Sequence, residues 1–291
     1  MRRVPSPPSR YRAEGPDYSH RFHAGNVGDV WKHCVLVEVL RRARAAGSDV
    51  TYVESHAGAG RYVLGPTGEW TEGIGRVWSD GRADDAVGRY VTLCRALGAG
   101  ESRPESYPGS PLLAHAVLRG AGKLRLWEQD PQAAERLRAA FAGDGDVAVT
   151  VEDGLPALSP AVREAEASGR DVVALVDPPF TQKPDWIAVP DALIAAAKAS
   201  TSATLLLWYP VKSLTRPNAM IARLKAAGVA GTVAELITTP LEHQRQRLNG
   251  SGMILVRPPD GAREAIAAAA PVLGVRCATR PGVWSLRMVS W

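Results

Sequence analysis

Cysteine is scarce in this sequence, and none is placed to do chemistry: Cys34, Cys94 and Cys277 are odd in number, far apart and without metal-ligand spacing. Neither a disulfide framework nor a zinc site is expected, and free thiols suit the cytoplasm. Long apolar runs are missing too, so no segment should cross a bilayer. The N-terminus has arginines but lacks the apolar core of a secretory signal. No internal repeat is present. Charge bias is slight: a formal net charge of +5 permits a polyanionic partner without requiring one. What remains is an ordinary globular composition, 45% hydrophobic and 22% charged over 291 residues, long enough to bury a sizeable core.

Residues 1–16 are rich in Arg, Pro and Ser with no apolar period, which predicts a disordered basic arm ahead of one domain over residues 17–291. From Asp29 to Ala46 the apolar residues Val30, Cys34, Val37 and Leu40 recur at helical spacing, and Gly47 ends the pattern. A strand, Val50 to Glu54, follows. Further β-rich runs are Lys123–Glu128, Val147–Val151, Val172–Asp177, Thr204–Trp208, Thr232–Thr238 and Met253–Val256. Helical stretches separate most of them, notably Pro131–Phe141, Pro190–Ala199 and Pro217–Ala227, and Glu264–Ala270 reads as another. The alternation predicts an α/β fold with an open, mostly parallel sheet, whose right-handed crossovers bring Glu54, Glu128 and Asp177 to one edge. Tyr62 to Gly122 is too long for one crossover helix, so a small helical insertion is expected at about 62–106, with Thr67–Trp78 and Asp84–Leu97 inside it. Ser110 before Pro111 reads as a helix N-cap with proline in the first turn.

Four strand ends hold the candidate chemistry. After the first strand comes His56-Ala57-Gly58-Ala59-Gly60, where missing Cβ atoms let backbone approach a ligand. The full dinucleotide fingerprint is absent, so a plain βα turn and a cofactor loop both fit. Glu128 ends the next core strand, where a carboxylate can accept from two ribose hydroxyls. Asp153-Gly154 follows the third; it is either an Asp-Gly turn or an acceptor for an adenine amine. The fourth delivers Asp177-Pro178-Pro179-Phe180. An exocyclic amine is a poor nucleophile while its lone pair is delocalised into the ring, and hydrogen-bond acceptors localise it. Asp177 can take one amine hydrogen and the Pro178 carbonyl the other, with Phe180 stacking on the base. The methyl group can then come from an activated donor such as the sulfonium of S-adenosylmethionine, with no metal. A strand closed by Pro-Pro with a core Phe is the plainer alternative.

The stretch "FHAGNVGDVWKH", Phe22 to His33, gathers His, Asn, Asp and Lys at the start of the first helix. Its histidines lack partners at ligand spacing, so a metal is not expected. Lys32 and His33 are adjacent and so face different contacts, cofactor and substrate among them.

Taken in order, "YSHRFHAGNVGDVWKH", "SHAGAGRY", "TGEWTEGI", "YPGSP", "DPPF", "LWYP" and "GSGM" resemble the bacterial 23S ribosomal RNA (adenine-N6)-methyltransferases of the RNA large-subunit methyltransferase J type, from about Tyr18 to the C-terminus. The resemblance implies a Rossmann-like class I methyltransferase, S-adenosyl-L-methionine as cofactor and 23S ribosomal RNA as substrate, naked or in an assembly intermediate. It places cofactor contacts at Lys32, His33, His56, Gly58, Ser110, Glu128, Asp153, Gly154 and Asp177. Asp177, Pro178 and Phe180 become the catalytic turn, and Tyr18 and His20 meet the RNA. Two positions depart from the family pattern: Ser19 replaces an arginine, and Phe180 replaces a tyrosine. Stacking needs the ring and not the hydroxyl. The lost arginine bears on RNA capture, for which Arg21 or the arm's arginines could compensate. A DNA adenine or protein glutamine-amide methyltransferase would use the same acceptor logic. A noncatalytic RNA-binding module would not need both Asp177 and Glu128.

Overall fold

The computed structural model describes residues 22–47, 49–79, 84–98, 100, 102–241 and 248–291. The proposed arm, Tyr18 and His20 lie outside them. The first helix, α1 (Val27–Ala45), starts at Asn26, whose side chain accepts from the Asp29 N–H at 3.0 Å. It leads into β1 (Val50–Glu54), the first strand of an eight-stranded sheet ordered β10-β8-β9-β7-β6-β1-β4-β5. The other strands are β4 (Gly122–Trp127), β5 (Val147–Thr150), β6 (Asp171–Val176), β7 (Thr204–Val211), β8 (Thr232–Ile237), β9 (Gly250–Val256) and β10 (Ser285–Ser290). From β5 to β7 all neighbours are parallel; β9 is antiparallel to both β7 and β8, and β10 to β8.

Side chains alternate across this sheet, as extended backbone requires. In β6, Val173 and Leu175 join one core while Val172, Ala174 and Val176 join the other. The first core is closed by α1, α4 (Ser110–Leu118), α5 (Pro131–Ala140) and α9 (Ala262–Cys277). The second is closed by α6 (Gly154–Ala167), α7 (Asp185–Ala199) and α8 (Thr215–Ala226). The central strands therefore need apolar residues on both faces, which is why β6 and β7 read as continuous rather than alternating runs.

Helix α1 departs from its expected single apolar stripe. It is buried nearly all round, because it packs on the sheet at β9 while α4, α9 and α3 (Ala86–Leu97) cover its outside. The segment between β2 (Arg61–Val63) and β3 (Ser106–Pro108) carries a 3-10 turn at Glu69–Thr71, a short helix α2 (Ile74–Val77) and α3. Its Trp70, Ile74, Val77, Tyr90 and Cys94 share the first core. Gly73 is fitted so closely to the start of α1 that a Cβ there would lie 2.1 Å from the Gly25 carbonyl.

Helices α6, α7 and α9 run past prolines in their interiors. Expected from Pro190, α7 begins at Asp185, and α9 continues past Pro271 to Cys277. In α9 the buried Ile266, Ala269, Ala270, Leu273 and Cys277 keep one face against the core, and that burial outweighs one lost backbone bond. Ser110 is not an N-cap: Gly109 holds that position without a side-chain bond, and Ser110 is already helical. Among the described residues no helix is long and apolar enough to cross a membrane.

Candidate active site

The strand order reverses between β1 and β6, and at that point the C-terminal strand ends open into a cleft of about 1690 Å³. Each expected acid sits at this edge, because β1, β4 and β6 are neighbours in register: Glu54 pairs with Leu126 on one side and with Leu175 on the other.

One half of the cleft is made by the turn after β1. Gly58 and Gly60 adopt left-handed backbone, φ 64° and 77°. A Cβ on Gly58 would lie 2.3 Å from the Tyr62 hydroxyl, so glycine is required twice over there. Glu128 ties this turn to the end of β4: Oε2 accepts from the Gly58 N–H and Oε1 from the Asp130 N–H, both at 2.8 Å. Each oxygen keeps a lone pair for another donor. Asp153 caps α6 through the Leu155 N–H at 3.0 Å, and Gly154 lies where a Cβ would meet the Ser55 carbonyl at 2.3 Å. His56 Nδ1 meets the Ser55 hydroxyl at 2.8 Å, and burial holds its ring below the usual imidazole range.

His33 lines the cleft from α1, with Nδ1 2.7 Å from the Tyr107 hydroxyl, itself 2.7 Å from the Tyr90 hydroxyl. Burial, assisted by the adjacent Lys32 charge, pulls His33 down to about 3, so its imidazole is neutral at physiological pH. Tyr90 comes from α3 and Tyr107 from β3, so the segment between β2 and β3 helps to set this ring.

The other half surrounds Asp177, directly after β6. Lys32 Nζ stands 2.5 Å from Asp177 Oδ2 and 2.8 Å from Asp29 Oδ1, and 5.3 Å from the centre of the Trp208 ring. Burial opposes the charge on Lys32, but the Asp177 and Asp29 carboxylates prevail and hold its pKa above the ordinary lysine value. Asp177 is displaced upward, because burial outweighs the Lys32 attraction. Burial also acts on Asp29, yet Lys32, His33 and the Gly25 N–H bring it below the usual range. Phe180 has φ 48°, a conformation costing roughly 1–3 kcal/mol in a residue with a Cβ. Its ring packs 4.4 Å from Trp186 and 6.5 Å from Trp208 and is only 7% exposed.

Sequence reading missed Asp29, Tyr62, Trp186 and Trp208 as neighbours of this chemistry. Asp29 was findable, since i and i+3 on a helix share a face with Lys32. Trp208 was not, because only the sheet order brings β7 beside the turn after β6.

This strand order, with a glycine turn after β1, an acid after β4 and Asp-Pro-Pro-aromatic after β6, defines a Rossmann-like class I methyltransferase that uses S-adenosylmethionine. Residues 48–291 match the family described as "RsmJ: Ribosomal RNA large subunit methyltransferase D, RlmJ". The chain is 33% identical over 248 residues to Ribosomal RNA large subunit methyltransferase J of Haemophilus influenzae, spanning 83% of this chain and 87% of that protein. Its counterpart of the same name in Escherichia coli is 34% identical over 249 residues, with the same coverage of 83% and 87%. The crystal structure of LPL1258 from Legionella pneumophila superposes with a TM-score of 0.83 at 26% identity, over 92% of this chain and 98% of that one. The chain belongs to the ribosomal RNA large subunit methyltransferase J family.

The residues present fit the cofactor: a turn whose Gly58 and Gly60 take left-handed backbone, a carboxylate with lone pairs to spare beside it, and a neutral imidazole in the wall of the same cleft.

Proposed function

We propose that this protein transfers a methyl group from S-adenosylmethionine to the exocyclic N6 of an adenine in 23S ribosomal RNA, met naked or in an assembly intermediate in the cytoplasm. The observation that carries the reading is the Lys32 to Asp177 contact at 2.5 Å. It occupies one carboxylate oxygen, Oδ2, and leaves Oδ1 and the Pro178 carbonyl as acceptors for the two hydrogens of one amine. Two acceptors turn the nitrogen lone pair out of conjugation, toward the donor. Bound S-adenosylmethionine supplies an electrophilic methyl group, so the protein needs only to orient, desolvate and accept hydrogen bonds.

The chemistry of the cofactor half supports this reading. Glu128 takes ribose hydroxyls, Gly58 admits the backbone approach, and Asp153 and Gly154 face the adenine ring. His33, His56 and Ser110 complete the wall. Phe180 supports the target base within the frame of Trp186 and Trp208. Tyr18, His20 and the arginines of residues 1–16 serve RNA capture.

The test is methyl incorporation into naked 23S RNA, large-subunit particles, duplex DNA and a glutamine-bearing protein at one salt concentration. Label is expected in RNA alone, and label in DNA or protein alone would retire the RNA assignment. Asp177→Asn keeps an acceptor oxygen but no charge, and turnover should fall roughly 100-fold or more with cofactor affinity unchanged.

A further inference from the structure

Glu54 is the acid that the roles above leave unused. It closes β1 and is fully buried, with no exposure to the cleft. Its two oxygens are held by neutral hydroxyls: Tyr52 donates to Oε2 at 2.9 Å and Ser110 to Oε1 at 2.5 Å. Ser110 lines the cleft, and so does Asp177, whose charge acts on Glu54. The other ionisable groups that bear on it are Lys32 from α1 and Tyr62 from β2.

Counting charge in this set gives three carboxyls, Asp29, Glu54 and Asp177, against one ammonium, and Lys32 Nζ is already bonded to Asp29 and Asp177. Glu54 therefore has a hydroxyl on each oxygen and no cation bonded to either. A buried carboxylate in that position is expensive, and a proton relieves it. Burial first, with Asp177 adding to it, pushes the Glu54 carboxyl up to about 8. The ligand proposed for the adjoining cleft brings a fixed positive charge as methyl donor and none as the demethylated product.

We propose that Glu54 distinguishes donor from product by charge: it holds a proton in the cofactor-free protein, releases it when the sulfonium of S-adenosylmethionine arrives, and keeps it against S-adenosylhomocysteine. The balance closes over a cycle. Donor binding expels one proton; on methyl transfer the carbon–sulfur electrons stay on sulfur and the amine forms the new nitrogen–carbon bond. The amine then gives up one proton, and Glu54 regains one as the cofactor becomes neutral. Glu54 is a positioning residue here, acting on the cofactor's charge through Ser110 and the cleft field.

The proposal rests on S-adenosylmethionine being the donor, and calorimetry separates the two claims. Binding enthalpies of S-adenosylmethionine, S-adenosylhomocysteine and sinefungin, which carries an ammonium in place of the sulfonium, are measured near pH 7.5 in two buffers of different ionisation enthalpy. Proton release is expected for the two cationic ligands and not for S-adenosylhomocysteine. Wild-type affinity for S-adenosylmethionine should weaken ~20-fold from pH 8.5 to 6.5, while that for S-adenosylhomocysteine stays level. The amine on the methionine end of each ligand also titrates, and the Glu54→Gln protein removes that contribution by difference. In Glu54→Gln the extra release should vanish, with S-adenosylhomocysteine affinity kept. Equal release for donor and product in the wild type, or release that survives in Glu54→Gln, overturns the role of Glu54. Failure of all three ligands to bind overturns the cofactor assignment itself.

Discussion

Among single residues, the buried charges decide most. Glu54 makes a prediction that needs no cofactor. Between the ordinary glutamate value of 4.5 and about 8, the folded protein binds a proton at this site that the unfolded chain has lost, so stability falls as pH rises through that window. Glu54→Gln lacks this decline, and its melting temperature should gain on the wild type steadily from pH 5 to pH 8. A gap that is constant with pH means that Glu54 is already ionised in the fold. Lys32→Met leaves Asp29 and Asp177 buried with no ammonium between them, and should cost about 3–5 kcal/mol by chemical denaturation. Much of that loss should return when Asp177→Asn is added, since the second change removes one of the stranded charges.

The turn after β1 offers the cleanest test of an element. Gly58→Ala meets two separate penalties: a left-handed backbone, worth roughly 1–2 kcal/mol, and the Tyr62 hydroxyl at 2.3 Å. Adding Tyr62→Phe removes the second, because the next Tyr62 atom is 3.6 Å away, and gives up the bond that the Ala59 N–H donates to this hydroxyl at 3.3 Å. Cofactor affinity should therefore fall sharply in the single variant and recover only in part in the double, by calorimetry. This turn was legible in the sequence, as were β1, β4 to β9 and the four acids at their ends. Strong apolar runs survive any tertiary context, and their order alone implies a shared edge. The weaker elements were not. β10 is a partly exposed edge strand paired with β8, where Arg287 meets Glu235 at 3.0 Å, and a pairing between residues 52 apart leaves no local mark. The start of α7 was hidden by Pro190. In the site, Asp177 was readable from its own turn, but its partner Lys32, 145 residues earlier, stood out only as a polar residue of the first helix, with the contact unforeseen. Phe180 shows the limit of motif logic: the ring was expected to offer a face to a base, and the fold spends most of it on Trp186.

Across the whole molecule, the two faces of the sheet carry different tasks. Helices α6, α7 and α8 close a core of mostly aliphatic side chains, whereas the opposite face holds α1 with Lys32, His33 and Asp29, and the segment that supplies Tyr90 and Tyr107. RNA capture should depend on salt through the N-terminal region. Deleting residues 1–16 should make the salt dependence of RNA binding shallower while cofactor affinity stays as it was, a comparison open to filter binding at several ionic strengths. The burial of α1 also sets a timetable for synthesis. This helix comes out of the ribosome early, yet Trp31 donates to the Ala234 carbonyl at 3.0 Å, and the helix packs on β9 and α9, made near the end. A nascent chain stopped before Gly250 cannot house α1, so Lys32 cannot be brought to Asp177. Activity should therefore appear only once β9 and α9 have been translated.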